Sequence, residues 1–219
     1  VTIHRTPYKI LIVDDHPMVR EGLAARISAQ PDLQVCGEAA TEEEALTLVK
    51  EASPTLMIVD ISLKSGHGLE LVKQVKSRYP RVKMLVLSGF QESLYGERAL
   101  RAGALGYLNK QESNERVLEA IRTVLKGERF VSPELTRRLV AQALGGRGES
   151  KDPIELLTDR ELEIFRMIGE GQTSGAIADR LFLSVHTIDT HRENLKRKLG
   201  ISNAAELSRA AVQWLLENG

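Results

Sequence analysis

The stretch Lys9–Asp15, KILIVDD, is an apolar, strand-like run that ends on two carboxylates. The pattern returns at Thr55–Asp60 (TLMIVD), Val82–Ser88 (VKMLVLS) and Leu105–Lys110 (LGYLNK), with helically spaced stretches between the runs. Strands that alternate with helices predict a parallel sheet with crossover helices. The carboxyl ends of such strands converge on one crevice, where ligands sit. Asp14, Asp15, Asp60, Ser88 and Lys110 are therefore expected at one edge of the sheet. Three carboxylates gathered there repel one another and call for a hard divalent cation such as Mg2+. A lysine and a hydroxyl opposite that cation complete a site for a phosphoryl group. Taken singly, an Asp or Ser after a strand is an ordinary helix cap; all five together select the binding site.

This constellation resembles the receiver domain of bacterial response regulators over about the first 125 residues. The resemblance implies an α/β, flavodoxin-like, doubly wound five-stranded parallel sheet. It makes Asp60 the phosphoacceptor for a sensor histidine kinase, with Mg2+ held by Asp14, Asp15, Asp60 and the backbone carbonyl of Ser62. Ser88 and Lys110 assist the transfer, Gly89 leaves room for the phosphoryl group, and Tyr107 stands at the place of the switch aromatic. The receiver would catalyse only its own phosphorylation and dephosphorylation, so no separate enzyme activity is expected. Three positions depart from the family: Lys64 and Ser65 replace the usual Pro-Gly, and Gln111 follows Lys110. A hydrolase of the haloacid-dehalogenase type would need an acid where Ser62 stands. A dinucleotide-binding enzyme would need a glycine-rich turn where Asp14-Asp15-His16-Pro17 stands.

A chain of 219 residues accommodates two domains. Its 42% apolar and 4% aromatic content suits α/β and all-α units. No run approaches the roughly 20 apolar residues that span a bilayer, and VTIHRTPYK lacks the apolar core of a signal peptide. The one cysteine, Cys36 in LQVCGEA, reads as a buried strand thiol. A cytoplasmic protein is expected, with no membrane partner.

Residues 1–127 form the expected receiver, residues 128–153 a linker with a helix, and residues 154–219 a second domain. Asn114–Lys126 ends the first domain as a helix. Ser132-Pro133-Glu134 then opens the linker helix with a cap, a proline at the first position and an early acid. The tract Gly145–Pro153 is polar and glycine-rich. Beyond it the spacing predicts four short helices. Thr158 and Glu161 form a capping box for the first, the second spans Thr173–Leu181, the third Thr187–Leu199, and the fourth Ala204–Leu216. The short connection before the third helix makes a helix-turn-helix, whose later helix can enter a major groove.

The strings LTDRE, GQTSGAIA, SVHTIDTH and KLG resemble the LuxR-type DNA-binding domain over about 65 residues. A receiver joined to it is the architecture of the NarL/FixJ family. That implies a transcription factor that binds double-stranded DNA, forms a homodimer when active, and has RNA polymerase as a candidate partner.

Charge argues in the other direction. Residues 1–127 hold 17 Lys+Arg against 16 Asp+Glu, and residues 128–219 hold 13 against 14, whereas DNA-binding domains are usually basic. Locally, Arg192, Lys196, Arg197 and Lys198 gather on the third helix. At about 100° per residue, Ile188, Leu195 and Leu199 turn inward with His191 at the edge, and His186, Asp189, Thr190, Glu193 and Arg197 turn outward. With Thr187, Arg192 and Lys196 they form the expected DNA-contacting set. Asp189 stands where the family commonly has Lys, and Ser174-Gly175-Ala176 where it has Asn-Lys-Glu. The alternative is therefore a phosphorelay or protein-interaction module with weak or lost DNA binding.

Overall fold

The computed structural model describes residues 6–63, 66–144 and 153–218. The linker tract 145–152 and the loop positions Lys64 and Ser65 lie outside these residues. The chain divides into two units, 1–136 and 137–219, and the division falls inside one helix.

The first unit holds five strands, β1 (Tyr8–Val13), β2 (Leu33–Ala39), β3 (Leu56–Val59), β4 (Lys83–Ser88) and β5 (Gly106–Asn109), all parallel in the order β2-β1-β3-β4-β5. Helices α1 (Pro17–Ser28), α2 (Glu42–Ala52), α3 (Gly68–Arg78), α4 (Glu92–Ala102) and α5 (Asn114–Lys126) connect and follow them. The central strands are apolar without alternation because both faces are covered. Ile10, Ile12, Ile58, Leu85 and Leu87 form one core with Leu23 and Ile27 of α1 and Ile121 and Val124 of α5. Leu11, Val13, Met57, Val59, Met84 and Val86 alternate with them and are equally buried on the other face.

Each strand ends within a residue of the sequence expectation, and α5 has the expected span. Cys36 differs: it is half-buried, because β2 is an edge strand. Residues at the start of the expected linker also join the first unit. The Tyr107 amide donates to the Phe130 carbonyl at 2.9 Å and the Phe130 amide to the Leu105 carbonyl at 3.0 Å, closing the outer margin of β5. Helix α6 (Pro133–Ala143) begins beside it, with the Ser132 amide donating to Glu92 at 2.9 Å and Leu135 buried.

The second unit contains α7 (Asp159–Gly169), α8 (Ser174–Leu181), α9 (Val185–Leu199) and α10 (Ala204–Asn218), preceded by a short 3-10 turn, Pro153–Leu156. Side chains of Thr158, Thr173 and Ser184 cap α7, α8 and α9, and the Thr158–Glu161 capping box is complete. The Ser184 cap starts α9 two residues before the expected Thr187. Leu162, Ile164, Phe165, Ile177, Ile188, Leu195, Leu207 and Trp214 make the core, with Phe165 and Trp214 rings 5.7 Å apart. Glu161 is buried there too; Lys198 reaches it at 2.6 Å and holds its carboxyl below the usual range against the opposing effect of burial. No helix among the described residues is long and apolar enough to cross a membrane.

Candidate functional site

Parallel pairing brings the ends of β1, β3, β4 and β5 to one edge, and the residues that follow inherit that placement. The Asp60 amide donates to the Val13 carbonyl at 2.9 Å, and the Lys110 amide to the Ser88 carbonyl at 2.8 Å. Asp14, Asp60 and Ser88 are consequently buried, at 2%, 3% and 0% exposure. Lys110 extends over them, its Nζ 2.6 Å from Asp14 Oδ2 and 2.7 Å from Asp60 Oδ2.

The residues before α3 return to the strand end beside Asp60. The Gly68 amide donates to the Ile61 carbonyl at 2.9 Å, and His67 caps α3 by accepting from the Leu69 amide at 3.2 Å. A Cβ on Gly68 would fall 1.9 Å from the Asp60 carbonyl oxygen, so only glycine permits this turn. A Cβ on Gly89 would meet nothing within 4 Å, so the crevice is open on that side.

The electrostatics follow from this packing. Burial pushes the Asp60 carboxyl above the usual carboxylate range, with Asp14 adding to the rise, although Lys110 and the Ser62 amide oppose it. Burial works to lower the Lys110 ammonium, yet the facing Asp60 and Asp14 carry it above its ordinary value. Asp60 Oδ1 is buried and has no hydrogen-bond partner. An orphaned carboxylate oxygen next to two further acids is the arrangement a bound cation relieves. Asp14, Asp15, Asp60 and also His16 offer ligand atoms that all lie within 4.8 Å of one another. His16 is not among the ligands expected from the sequence; its signal there is its place as the third consecutive polar residue after β1.

Ser88 Oγ accepts from the Phe90 amide at 3.3 Å, and Tyr107, itself buried, donates its hydroxyl to the Phe90 carbonyl at 2.8 Å. Burial holds that phenol far above its ordinary pKa. The Phe90 ring stacks on Tyr95 of α4 with centroids 4.8 Å apart. Ser88, Tyr107 and α4 are thus joined through one residue, Phe90.

On the second unit, His186, Asp189, Thr190, Glu193 and Arg197 all face solvent, while Thr187, Arg192 and Lys196 are half-buried. Several are engaged within the unit. Ser174 Oγ donates to Asp189 at 3.0 Å, Lys196 pairs with Glu193 at 2.8 Å, and Arg197 donates to Asn194 at 2.9 Å. Thr187 and Thr190 hydroxyls contact Ser184 Oγ and the His186 carbonyl. His191 is half-buried, with Nδ1 lacking a hydrogen-bond partner.

Comparison with known proteins covers both units. Residues 10–122 match the response regulator receiver domain, and residues 155–211 match the bacterial regulatory proteins of the luxR family. The chain is 36% identical over 210 residues to oxygen regulatory protein NreC of Staphylococcus aureus, a match that covers 94% of this chain and 97% of that protein. Its structure is similar to RcsB of Salmonella enterica serovar Typhimurium bound to a promoter in the presence of the phosphomimetic BeF3− (TM-score 0.68, 25% identity, 94% of this chain and 98% of that one). It is also similar to a LuxR-family two-component response regulator from an Aurantimonas species (TM-score 0.58, 30% identity, 64% and 99%).

Proposed function

The chain belongs to the response regulators that join a receiver domain to a LuxR-type DNA-binding domain, and from that premise we propose that phosphorylation of Asp60 by a sensor histidine kinase controls binding of α9 to DNA. The observation that carries this reading is the Asp60 carboxylate. It is buried at the carboxyl edge of the sheet, held by Lys110 at 2.7 Å through one oxygen and unbonded at the other.

In the proposed reaction an Asp60 oxygen attacks the phosphorus of a phosphohistidine. The new P–O bond forms as the P–N bond breaks, and the imidazole leaves with the electron pair. Mg2+ held by Asp14, Asp15, Asp60 and the Ser62 carbonyl supplies charge neutralisation at the phosphoryl oxygens when bound. Lys110 adds a positive charge at the same place, and Ser88 Oγ donates to a phosphoryl oxygen. The same Oγ accepts from the Phe90 amide. Phe90 also holds the Tyr107 hydroxyl and stacks on α4, so a shift of Ser88 toward the phosphoryl group reaches both the switch aromatic and the helix beside it.

The output is sequence-specific binding through the exposed face of α9, in the manner of the RcsB relative seen on promoter DNA. Arg197, with the half-buried Arg192 and Lys196, serves phosphate contacts; Asp189 and Glu193 serve as acceptors for cytosine N4. We place the protein in the cytoplasm, as a homodimer when phosphorylated. Ala204 and Ala205, exposed on α10, leave room for a second copy, and RNA polymerase is the partner through which transcription responds. A second reading, a relay module with weak DNA affinity, is favoured by Gly175 and by Glu193, which pairs with Lys196 at 2.8 Å.

Labelling with acetyl phosphate tests the receiver. Incorporation is expected only with Mg2+ and is abolished in Asp60→Asn; undiminished incorporation in that variant would sink the assignment. Gel shifts on random genomic fragments before and after phosphorylation separate the two output readings, since a relay module retains no fragment in either state.

A further inference from the structure

His16 stands between α1 and the acidic crevice, and both its amide and its ring nitrogen reach Asp14 Oδ1. It occupies the N-cap position of α1, yet its side chain makes no capping hydrogen bond, and Pro17 follows at the first helical position. Its amide donates to Asp14 Oδ1 at 2.9 Å, which fixes the residue over the crevice. Nδ1 of its ring then lies 3.2 Å from Asp14 Oδ1 and 2.8 Å from Asp15 Oδ1. The shorter approach lacks hydrogen-bond geometry, for Asp15 Oδ1 has no hydrogen-bond partner.

These separations have a common meaning. Neighbouring ligands of an octahedral ion with bonds of about 2.1 Å stand roughly 3.0 Å apart, and opposite ligands roughly 4.2 Å apart. Ligand atoms of Asp14, Asp15, His16 and Asp60 all lie within 4.8 Å of one another. Lys110 takes the Oδ2 atoms of Asp14 and Asp60, and Nδ1 of His16 approaches the Oδ1 atoms of Asp14 and Asp15. Independently of this clustering, Asp60 is 3% exposed and its Oδ1 is unpartnered.

We propose that His16 completes the metal site as a nitrogen donor through Nδ1, so that the crevice binds a borderline transition ion such as Co2+ with a preference over Mg2+ that depends on this residue. Carboxylate and carbonyl oxygens alone suit Mg2+, whereas imidazole suits the later first-row ions. The inference rests on the proposed metal-assisted receiver chemistry and adds one ligand to it. It also gives the site a sensitivity to which divalent ion is at hand.

The test uses the full chain and compares the parent with His16→Ala, a change that removes no cap from α1. Calorimetric titration with Co2+ and with Mg2+ should show the Co2+ dissociation constant rising about tenfold or more in the variant, with Mg2+ changing by less than about twofold. Proton spectra of the Co2+-loaded parent should carry one strongly shifted, solvent-exchangeable imidazole N–H, which the variant lacks. Equal Co2+ affinities, or an unchanged shifted resonance, would overturn the role of His16 while leaving Mg2+-assisted phosphorylation intact. If the parent bound neither ion, this inference and the reading beneath it would fall together.

Discussion

At the carboxyl edge of the sheet, Asp14, Asp60 and Ser88 arrive from three strands and are almost wholly buried, whereas His186, Asp189, Thr190, Glu193 and Arg197 come from one helix and all face solvent. Both are clusters of polar side chains on well-packed scaffolds, yet they store free energy differently. In the crevice, desolvation sets two buried carboxylates against each other and against one lysine, so each charge depends on its neighbours. On α9, water screens the charges of Asp189, Glu193 and Arg197, and a substitution there leaves the fold nearly untouched. The first arrangement suits a switch, since adding a charged group must redistribute the rest; the second suits a reading surface that waits for a partner.

The largest expected effect breaks this contrast if it fails. Lys110→Met in Mg2+-free buffer strips the counter-charge from two buried carboxylates and should destabilise the chain by roughly 3 kcal/mol in urea unfolding. Added Mg2+ or a second change, Asp60→Asn, should recover much of that loss. The sign with pH follows from Asp60, whose folded carboxyl lies above its ordinary value through burial. Below the unfolded value, about 3.9, the group is protonated in both states and carries no penalty. The penalty grows as pH rises through the folded value, so Asp60→Asn should gain stability over the parent toward neutral pH and match it in acid. A stability difference independent of pH would show that the Asp60 charge is not strained.

On α9 the expected effects are on binding. Asp189→Ala should change base preference at one position by about 1–3 kcal/mol, measured across a sequence library. Arg197→Ala should weaken all sequences about equally and reduce the salt slope by roughly 1. Both variants should unfold with the parent; parent-like binding by both would remove this face from the DNA interface.

The smallest effect sharpens the comparison from the side of α8. Gly175 has only Thr173 Oγ1 near the place of a Cβ, at 3.9 Å, so a side chain fits there. Gly175→Lys should stabilise the second unit by about 0.5–1 kcal/mol through helix propensity and tighten DNA binding, read by thermal melts and gel shifts. Tighter binding would mean that affinity is held down by this glycine and not by the acids of α9.

The same difference explains what could be read in advance. Strands covered on both faces leave unbroken apolar runs, and topology carries the next residue to a shared edge; Asp14, Asp60, Ser88 and Lys110 were legible for that reason. Helix α5 was legible to its ends because Ser113 and Gly127 mark them. His16 was not, because its meaning lies in the direction of one ring across two carboxylates, which spacing does not encode. The start of α9 was misplaced because Ser184 caps it through its side chain. Phe130 and Leu135 stood in a stretch read as linker, although a phenylalanine amid charged residues hinted at burial. The contacts of Asp189 with Ser174 and of Glu193 with Lys196 depend on the angle between helices and on rotamers, neither of which the sequence displays.

The backbone bond pair between Phe130 and β5 has a practical bearing on how the receiver can be handled in isolation. A fragment ending at Gly127 keeps every residue of the crevice, but it leaves the Tyr107 amide and the Leu105 carbonyl open along an edge strand. Such a margin templates strand addition by a neighbouring molecule, the first step of self-association. A fragment extended to Thr136 carries its own cover, so the nine residues after Gly127 act as a sealing strip that keeps the sheet from growing beyond one molecule.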